Sequence, residues 1–290
     1  MNRFCFFFLL ISLWGAQVAV AQTDSLQVVK ARWEKKRLAR GVKWKTYHFQ
    51  NTLFNSNQNV NILEVKPRRR MWLDLGFEPQ VLKPTSEFGR QAQALAALNG
   101  TFFDIKNGGS VDFIRADGQV ISPSQYDKNG QRALHQKAAV VFKAGKISIA
   151  KWDNTNNWEN QLNGEDVMVT GPLLQLANRP EALDSSSFNL TRHPRTALAL
   201  TRKNRVLLIT VDGRNPNAAG MRMDELSKLT RWLGAKDAIN LDGGGSTTLW
   251  IEKLPENGVA NYPTDNKQWD HAGERKVANA ILVRKGRKKE

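Results

Sequence analysis

Short apolar segments rich in Val, Ile and Leu recur along the chain, and this recurrence constrains the fold more than any other feature. Turn signals separate several of them, for example at residues 116–118 and 143–145, which is typical of hairpins within an extensive sheet. The predicted strands are residues 60–65, 72–77, 111–115, 138–142, 146–150, 166–170, 196–200, 206–211, 238–241, 247–251 and 277–283. A chain of 290 residues with 41% hydrophobic content is large enough to bury a substantial core around such sheets.

Helical patterns are few. The clearest covers residues 223–233, where Leu226, Leu229 and Leu233 share one face and Gly234 follows as a stop signal. A second helix is predicted over residues 86–98 from a run of Ala and Gln, and residues 30–40 are compatible with a short surface helix or a linker. We therefore predict an α+β fold with a mixed, β-rich sheet, a β-α-β unit around residues 205–242 and few helices.

The first 21 residues have the three parts of a secretory signal peptide. Arg3 precedes an apolar run over residues 4–14, and the segment ends in Ala19-Val20-Ala21. The apolar run is too short to span a bilayer comfortably, so the sequence predicts cleavage before Gln22 and no transmembrane segment in the mature chain. Cys5, the single cysteine, lies in this leader. We expect export to a periplasm or beyond, and the missing cysteines favour a bacterial setting.

After the leader we predict a basic segment at residues 22–45, a catalytic domain at 46–286 and a basic tail at 287–290. The chain carries 43 Lys and Arg against 27 Asp and Glu. Such charge implies anionic surroundings, because basic surfaces bind polyanions of any kind through counterion release. The sequence contains no zinc-finger spacing, RRM-type motif or helix-turn-helix, so no specific nucleic-acid partner is predicted. The sequence makes no prediction of the oligomeric state.

The most informative stretch joins two apolar runs through the helix at 223–233. The first run ends in Asp212-Gly213 and the second in Asp242-Gly243, so the pattern predicts parallel strands with a right-handed crossover. If the two strands are neighbours, both aspartates emerge at the same edge of the sheet, where ligands bind in open α/β sheets. Asp212 and Asp242 are therefore a candidate catalytic pair.

Three consecutive glycines follow Asp242. Gly243, Gly244 and Gly245 remove every side chain where the chain leaves the strand, so backbone N–H groups there are expected to surround an anion, with the Ser246 hydroxyl beside them. Arg195 and Arg214 are the expected phosphate partners, since a guanidinium meets two phosphate oxygens at once. The other interpretation is a tight loop in which the aspartates cap turns.

Two further constellations are weaker. In Asn99-Gly-Thr-Phe-Phe-Asp104, Asn99 and Asp104 are candidates for orienting substrate hydroxyls. His193 precedes Pro194 and is read more readily as a loop residue than as a proton donor. The remaining histidines, His48, His135 and His271, have no spacing that indicates a metal site.

Six short motifs, taken in order, resemble the phosphodiester glycosidase family. They are Asn99-Gly-Thr-Phe-Phe, Gly171-Pro172, Arg195-Thr196-Ala197, Val211-Asp-Gly-Arg214, Asn240-Leu-Asp-Gly-Gly-Gly-Ser-Thr-Thr248 and Val277-Ala-Asn-Ala280. The resemblance implies hydrolysis of a sugar-1-phosphodiester in glycan or exopolysaccharide metabolism, N-acetylglucosamine-1-phosphodiester being one candidate. It implies a catalytic set of Asp104, Arg195, Asp212 and Asp242, and a substrate- and phosphate-binding set of Asn99, Gly100, Thr196, Arg214, Gly243, Gly244, Gly245 and Ser246.

The residues support the same chemistry independently. Glycosyl cleavage passes through an oxocarbenium-like state that needs a carboxylate near the anomeric carbon, and a phosphate leaving group needs charge stabilisation. Asp242 or Asp212 is expected to be nucleophile or base, without a cofactor or metal. Two alternatives remain open. In one, the aspartates hold a divalent cation in a phosphodiesterase that breaks the P–O bond. In the other, the protein is a non-catalytic module that binds an anionic glycan.

Overall fold

The computed structural model describes residues 23–126 and 128–286, and strands form most of its regular structure. The predicted leader and the basic tail at 287–290 lie outside the described residues. The strands are β1 (Glu34–Ala39), β2 (Val42–Phe49), β3 (Gln58–Val65), β4 (Met71–Phe77), β5 (Lys83–Pro84), β6 (Ala96–Asn99), β7 (Ile114–Ala116), β8 (Gln119–Ser122), β9 (Ala138–Lys143), β10 (Lys146–Lys151), β11 (Asp166–Thr170), β12 (Leu173–Leu176), β13 (Arg179–Pro180), β14 (Arg195–Thr201), β15 (Val206–Val211), β16 (Ala235–Asn240), β17 (Leu249–Ile251), β18 (Lys276–Val277) and β19 (Asn279–Lys285). The helices are α1 (23–30), α2 (Thr85–Gln91), α3 (Trp158–Gln161), α4 (Ser187–Leu190) and α5 (Met223–Trp232).

The largest sheet has eight antiparallel strands in the order β1-β2-β3-β15-β14-β16-β12-β13. Its central strands are buried on both faces, which explains why residues 206–211 read as a continuous apolar run. Alternate side chains point to opposite faces, so Leu208 enters one core cluster while Leu207 and Ile209 enter another. The two edges differ from this centre. Residues 34–37 of β1 are exposed, and β13 is a two-residue strand that ends in Pro180.

Two smaller sheets cover one face of the large sheet. Their strand orders are β10-β9-β11-β7-β8 and β17-β6-β19-β4, and a short β18-β5 ladder accompanies them. Side chains from all three larger sheets form one core cluster that includes Leu63, Leu98, Val140, Leu208 and Ile281. The arrangement is a sandwich, and the β-rich α+β class predicted from the sequence is confirmed.

Helix α5 covers the other face of the large sheet. Leu226 and Leu229 are buried there, Leu233 packs against the same cluster, and Gly234 follows with a φ of 88°. The helix predicted at 223–233 is therefore confirmed to within one residue. Among the residues that the structure describes, no helix is both long and apolar enough to cross a membrane.

The sequence-based prediction that the strands around residues 205–242 run parallel is correct, but β15 and β16 are not neighbours, because β14 lies between them and pairs antiparallel with both. Two other sequence-based expectations were wrong. The helix expected at 86–98 ends at Gln91, and residues 96–99 instead form β6, since this segment is buried between β17 and β19. Residues 34–39, expected in a short helix or linker, form the edge strand β1, whose turn to β2 places Gly41 at a φ of 86°.

Candidate active site

The candidate site lies where β15 and β16 end and β14 begins. Because β14 is antiparallel to both partners, β15 and β16 run in the same direction, and the segments that follow them leave the same edge of the sheet. Asp212 follows β15, Asp242 follows β16, and Arg195 opens β14 between them. The expectation that the two aspartates share an edge thus holds for a different reason, namely an intervening antiparallel strand.

Asp212 is a buried carboxylate with three donors. Its Oδ1 accepts hydrogen bonds from Asn261 Nδ2 (2.8 Å) and from the backbone N–H of Tyr262 (3.0 Å), and its Oδ2 accepts from Asn59 Nδ2 (2.8 Å). The residue is 1% exposed. Burial raises its pKa to about 6 although these hydrogen bonds act in the opposite direction. These hydrogen bonds connect the end of β15 with the loop after β17 and with the start of β3. Asp212 therefore has the contacts of a residue that stabilises the structure.

Asp242 is only half-buried and borders the glycine loop. Its Oδ1 accepts the Gly243 N–H at 2.9 Å. Burial raises its pKa to about 6, whereas the Ser246 hydroxyl, the Gly243 amide and the charge of Arg275 lower it and the charge of Asp112 raises it. A carboxyl group with this pKa is mostly ionised at pH 7 and is still able to exchange a proton near neutrality.

Three amides of the loop at residues 243–246 have acceptors inside the protein. Gly243 donates to Asp242, Gly244 donates to Pro194 O (2.8 Å), and Ser246 donates to Gly243 O (3.2 Å). The Ser246 side chain is buried under the loop. These three donors therefore stabilise the loop and the Asp242 carboxylate and do not face an external anion.

Close packing explains the glycines. A Cβ on Gly243 would lie 2.7 Å from Pro194 O, and one on Gly245 would lie 2.5 Å from Arg275 Nη2. Gly244 has a φ of 61°, and a Cβ there would lie 3.2 Å from Arg214 Nη2. The backbone carbonyl of Pro194 at Gly243 and the positive φ of Gly244 disfavour side chains at these two positions, and two guanidinium groups approach the backbone at Gly244 and Gly245.

Arg214 and Arg275 flank the loop at Gly244 and Gly245. Arg214 has a left-handed backbone (φ 59°), and its Nη2 lies 3.3 Å from His193 Nδ1. Because a guanidinium only donates, His193 Nδ1 is the acceptor, and burial followed by the charges of Arg195 and Arg214 lowers the pKa of His193. Arg275 Nη2 pairs with Asp265 at 2.5 Å. No sequence motif indicated Arg275 as a site residue, although it stands two residues before the motif at 277–280.

Arg195 has a different environment from the one expected. Its side chain is 1% exposed and donates to three backbone carbonyls, those of Met221 (2.8 Å), Phe188 (2.6 Å) and Thr191 (2.9 Å). The guanidinium also lies over the Phe188 ring, 4.8 Å from its centroid. These contacts hold α4 against the sheet. Because backbone carbonyls already occupy the guanidinium, Arg195 is not expected to bind phosphate.

Asn99, Gly100 and Thr196 lie beneath the Asp242 loop. Asn99 Nδ2 donates to Asp242 O (2.7 Å), Asn99 Oδ1 accepts from the Thr196 hydroxyl (2.9 Å), and Gly100 O accepts the Asp242 N–H (3.0 Å). Asn99 and Thr196 are fully buried. They fix the position of Asp242 rather than face solvent.

Asp104 lies in a surface turn. Its Oδ1 accepts the N–H groups of Lys106 (2.8 Å) and Asn107 (3.0 Å), and its Oδ2 accepts Asn107 Nδ2. These hydrogen bonds hold the pKa of Asp104 below its usual value. Aspartates commonly stabilise turns in this way. Because both oxygens accept hydrogen bonds within the turn, Asp104 is not expected to be catalytic.

The structure adds a pair that no sequence motif indicates, Asp112 and His135. Asp112 is fully buried and accepts from the Thr101 hydroxyl (2.7 Å) and from Gln136 Nε2 (3.1 Å), and His135 Nε2 lies 3.1 Å from Asp112 Oδ1. The His135 side chain is 27% exposed. Thr101 follows Gly100, whose carbonyl accepts the Asp242 N–H, and the charge of Asp112 acts on Asp242, so this pair lies near the Asp242 loop.

An aromatic wall stands beside His135. The Phe102 ring lies 4.3 Å from the His135 ring and 6.1 Å from the ring of Phe188, which is 37% exposed. The Arg195 guanidinium packs against the Phe188 ring of this aromatic surface. The half-buried Asp242, the guanidinium groups of Arg214 and Arg275 and the Phe102 and Phe188 rings thus belong to neighbouring segments around the loop at residues 243–246. Within residues 23–126 and 128–286, no group of three or more His, Cys, Asp or Glu side chains is arranged to hold a metal ion.

Similarity to known proteins identifies the family to which the chain belongs. The model of the phosphodiester glycosidase family matches residues 92–284, most of the chain, and the chain belongs to that family. The resemblance deduced from the motifs is thereby confirmed.

Individual relatives are more distant. N-acetylglucosamine-1-phosphodiester alpha-N-acetylglucosaminidase from Mus musculus is 27% identical over 182 residues, 59% of this chain and 34% of that protein. The Homo sapiens protein of the same name is 28% identical over 191 residues, 63% of this chain and 36% of that protein. The match thus spans about a third of the length of these curated relatives.

Solved structures share the fold. The catalytic domain of the zebrafish enzyme of that name, auto-inhibited by its pro-peptide, superposes with a TM-score of 0.63 at 19% identity, over 87% of this chain and 83% of that chain. A hypothetical protein from Synechocystis gives a TM-score of 0.64 at 17% identity, over 87% of this chain and 63% of that chain.

Proposed function

We propose that this protein is an exported glycosidase that hydrolyses a sugar-1-phosphodiester. The C1–O bond breaks, water supplies the new hydroxyl on C1, and the bridging oxygen leaves with a phosphomonoester. One observation carries the proposal, namely that two guanidinium groups flank the loop that presents the half-buried Asp242 carboxylate. The names of the mouse and human relatives point to N-acetylglucosamine as the first sugar to test.

The phosphate is expected to lie between Arg214 and Arg275. Both guanidinium groups approach the backbone where the glycines exclude side chains, so a phosphodiester is able to come close to the loop. Guanidinium groups bind phosphate oxygens in pairs, and the charge that develops as the phosphate leaves is stabilised there. Asp265 is already paired with Arg275, so it orients this guanidinium.

Asp242 is the carboxylate proposed to act at C1. Its neighbour at the same edge, Asp212, has donors on both oxygens and almost no exposed surface, whereas Asp242 is partly exposed. A carboxylate beside the anomeric carbon either attacks it, giving retention, or deprotonates water, giving inversion. The anomeric configuration of the released sugar distinguishes these two routes.

His135 is proposed as the second proton-transfer group. Asp112 only accepts hydrogen bonds when ionised, so it holds the proton on His135 Nε2 and leaves Nδ1 to exchange a proton with water or substrate. The sugar ring would lie against Phe102 and Phe188, whose rings offer an apolar surface next to this histidine. Burial of the sugar there would exclude bulk water from the reacting bond.

Export is part of the proposal because of the leader-like first 21 residues. A bacterial periplasm or cell surface is the expected location, and extracellular or exopolysaccharide glycans are the expected source of substrate. N-terminal sequencing of the protein secreted by a bacterial host tests this. Cleavage before Gln22 supports it, and retention of Met1 in a cytoplasmic fraction contradicts it.

The direct test uses N-acetylglucosamine 1-(methyl phosphate) and the mature protein in heavy-oxygen water. Glycosidic cleavage yields methyl phosphate without the label, whereas attack at phosphorus places the label in phosphate. We expect unlabelled methyl phosphate and no loss of rate with a chelator. Labelled phosphate, or activity that a chelator abolishes, would favour the metal-dependent phosphodiesterase instead.

The matched control is Asp104→Asn. Asp104 belongs to the same family motifs but lies in a surface turn, so this variant should keep its activity while Asp242→Asn loses it. If the wild type turns over no member of a panel of sugar-1-phosphodiesters yet binds acidic glycans, the non-catalytic alternative is supported.

A further inference from the structure

A second concave surface lies at the opposite end of the large sheet from the catalytic loops. It is a groove of about 650 Å³ beneath the C-terminal end of α5, bounded by the end of β14 and the starts of β15 and β16. β15 spans this distance in six residues, so the groove and the Asp242 loop are separated by roughly 20 Å. Its volume is typical of a ligand-binding site.

The lining of this groove is strongly basic. Six basic side chains line it, namely Lys43, Lys45, Arg202, Lys203, Arg205 and Arg231. Among its lining residues Glu64 is the one acid, and its carboxylate pairs with Lys45 at 2.5 Å and with Arg205. The lining therefore carries a formal surplus of five positive charges, and four of the basic residues, all except Lys45 and Arg205, are exposed. An anion entering the groove meets cations that Glu64 does not neutralise.

The rest of the lining suits a molecule with hydroxyl groups and an aliphatic face. Ile62 and Leu207 form an apolar floor, and Thr201 and Asn178 add neutral polar groups. The Gln175 side chain is fixed because its Nε2 donates to Ala235 O (2.8 Å) and Lys236 O (3.1 Å), while its buried Oε1 has no hydrogen-bond partner in the described structure. Because Gln175 is 1% exposed, it forms part of the fixed base of the groove, and Thr201 and Asn178 are the neutral polar groups that hydroxyl groups would contact.

We propose that this groove is a binding site for an acidic oligosaccharide, separate from the catalytic site. The positive surplus selects the carboxylate or phosphate groups of the sugar chain, and the floor and neutral polar groups receive its rings and hydroxyls. The lining holds no aromatic side chain for stacking a nucleobase, which disfavours a single-stranded nucleic acid. That the groove binds an acidic oligosaccharide is inferred from its lining alone. Only the expected effect on the hydrolysis of a polymeric substrate rests on the proposed function.

The binding test uses tetragalacturonate as the probe and titration calorimetry as the readout. The groove variant Lys43→Gln/Arg202→Gln/Lys203→Gln removes three exposed cations and should weaken binding about tenfold. Wild-type binding should weaken as salt rises, and a neutral maltotetraose should not bind. The Asp242→Asn variant should bind as the wild type does, because the catalytic loop is distant.

The control variant is Lys146→Gln/Lys253→Gln/Lys285→Gln. It removes the same charge from exposed positions in β10, in the turn after β17 and in β19, and should bind as the wild type does. Equal weakening in both triple variants would show a non-specific charge effect and overturn the proposal. Absence of tetragalacturonate binding to the wild type, or tighter binding of a thymidine octanucleotide, would overturn it as well.

The kinetic test compares a small substrate with a polymer. A polymer held in the groove raises the effective concentration of its phosphodiester at the catalytic loop, so the groove variant should raise KM for an acidic polymeric substrate and leave methyl phosphodiester hydrolysis unchanged. If the wild type hydrolyses neither substrate, the proposed function fails while the binding test still decides on the groove. If both substrates are affected equally, the groove proposal fails and the function stands.

Discussion

Asp212→Asn should stabilise the protein at neutral pH, which is unusual for a substitution in a fully hydrogen-bonded buried site. Burial raises the Asp212 pKa from 3.8 to about 6. Between those values the folded chain binds more protons than the unfolded chain, so this group's contribution to the unfolding free energy falls as pH rises from 3.8 to 6. Above pH 6 the ionised Asp212 lowers the free energy of unfolding by about 3 kcal/mol relative to the protonated residue.

The substituted amide is expected to keep the local hydrogen bonds. Its oxygen retains the donors Asn261 and Tyr262, and its NH₂ group faces Asn59, whose amide offers an oxygen after a half-turn. Asparagine thus resembles the protonated aspartic acid. It should leave stability unchanged near pH 4 and raise the unfolding free energy by up to about 3 kcal/mol at pH 7.5.

Urea unfolding of both proteins at pH 4 and pH 7.5 measures this difference. Asp212→Ala is the matched control, because it leaves three donors without an acceptor and should destabilise the protein at both pH values. A lower stability of Asp212→Asn at pH 7.5, or a difference that does not change with pH, would refute the reasoning. Turnover by Asp212→Asn near the wild-type level would also agree with an anchoring role.

The remaining predictions concern activity. Asp242→Asn should abolish hydrolysis, and wild-type kcat/KM should fall as pH drops through about 6, where Asp242 becomes protonated; a flat profile from pH 5 to 8 would exclude that assignment. Arg214→Lys should lower kcat/KM about tenfold or more, measured with the methyl phosphodiester, since lysine loses the paired contact; an unchanged value would place the phosphate elsewhere. His135→Gln should lower kcat more than it raises KM, whereas an effect on KM alone would indicate sugar binding without proton transfer. Gly243→Ala should lower Tm, because its Cβ would lie 2.7 Å from the backbone oxygen of Pro194, and an unchanged Tm would contradict the packing argument.

The local elements were largely predictable from the sequence. Residues 206–211 form the expected strand because their continuous apolar run suits burial on both faces of the sheet. Residues 223–233 form the expected helix because their apolar periodicity provides one face that packs on the sheet. Residues 96–99 show the limit of such reasoning. Ala and Leu favour helix locally, yet hydrogen bonding to β17 and β19 decides the outcome, and neither partner is near in sequence.

The candidate site was predictable only in part. The shared edge of Asp212 and Asp242 followed from the direction of two strands, which the intervening β14 preserves. The roles of Arg195 and Asp104 did not follow, because residue type says nothing about whether carbonyls or amides already occupy a side chain. His135 and Asp112 come together through tertiary packing 23 positions apart in the chain, and no spacing rule identifies them.

The edges of the large sheet bear on how this protein behaves when concentrated. An open strand edge invites a strand from another molecule, but β1 presents Lys35, Lys36 and Arg37 there, and β13 is cut short at Pro180. Like charges on approaching β1 edges repel, and proline supplies no N–H for a new ladder. The sheet is therefore closed to growth at both ends, which suits a chain expected to work beyond the reach of cytoplasmic chaperones.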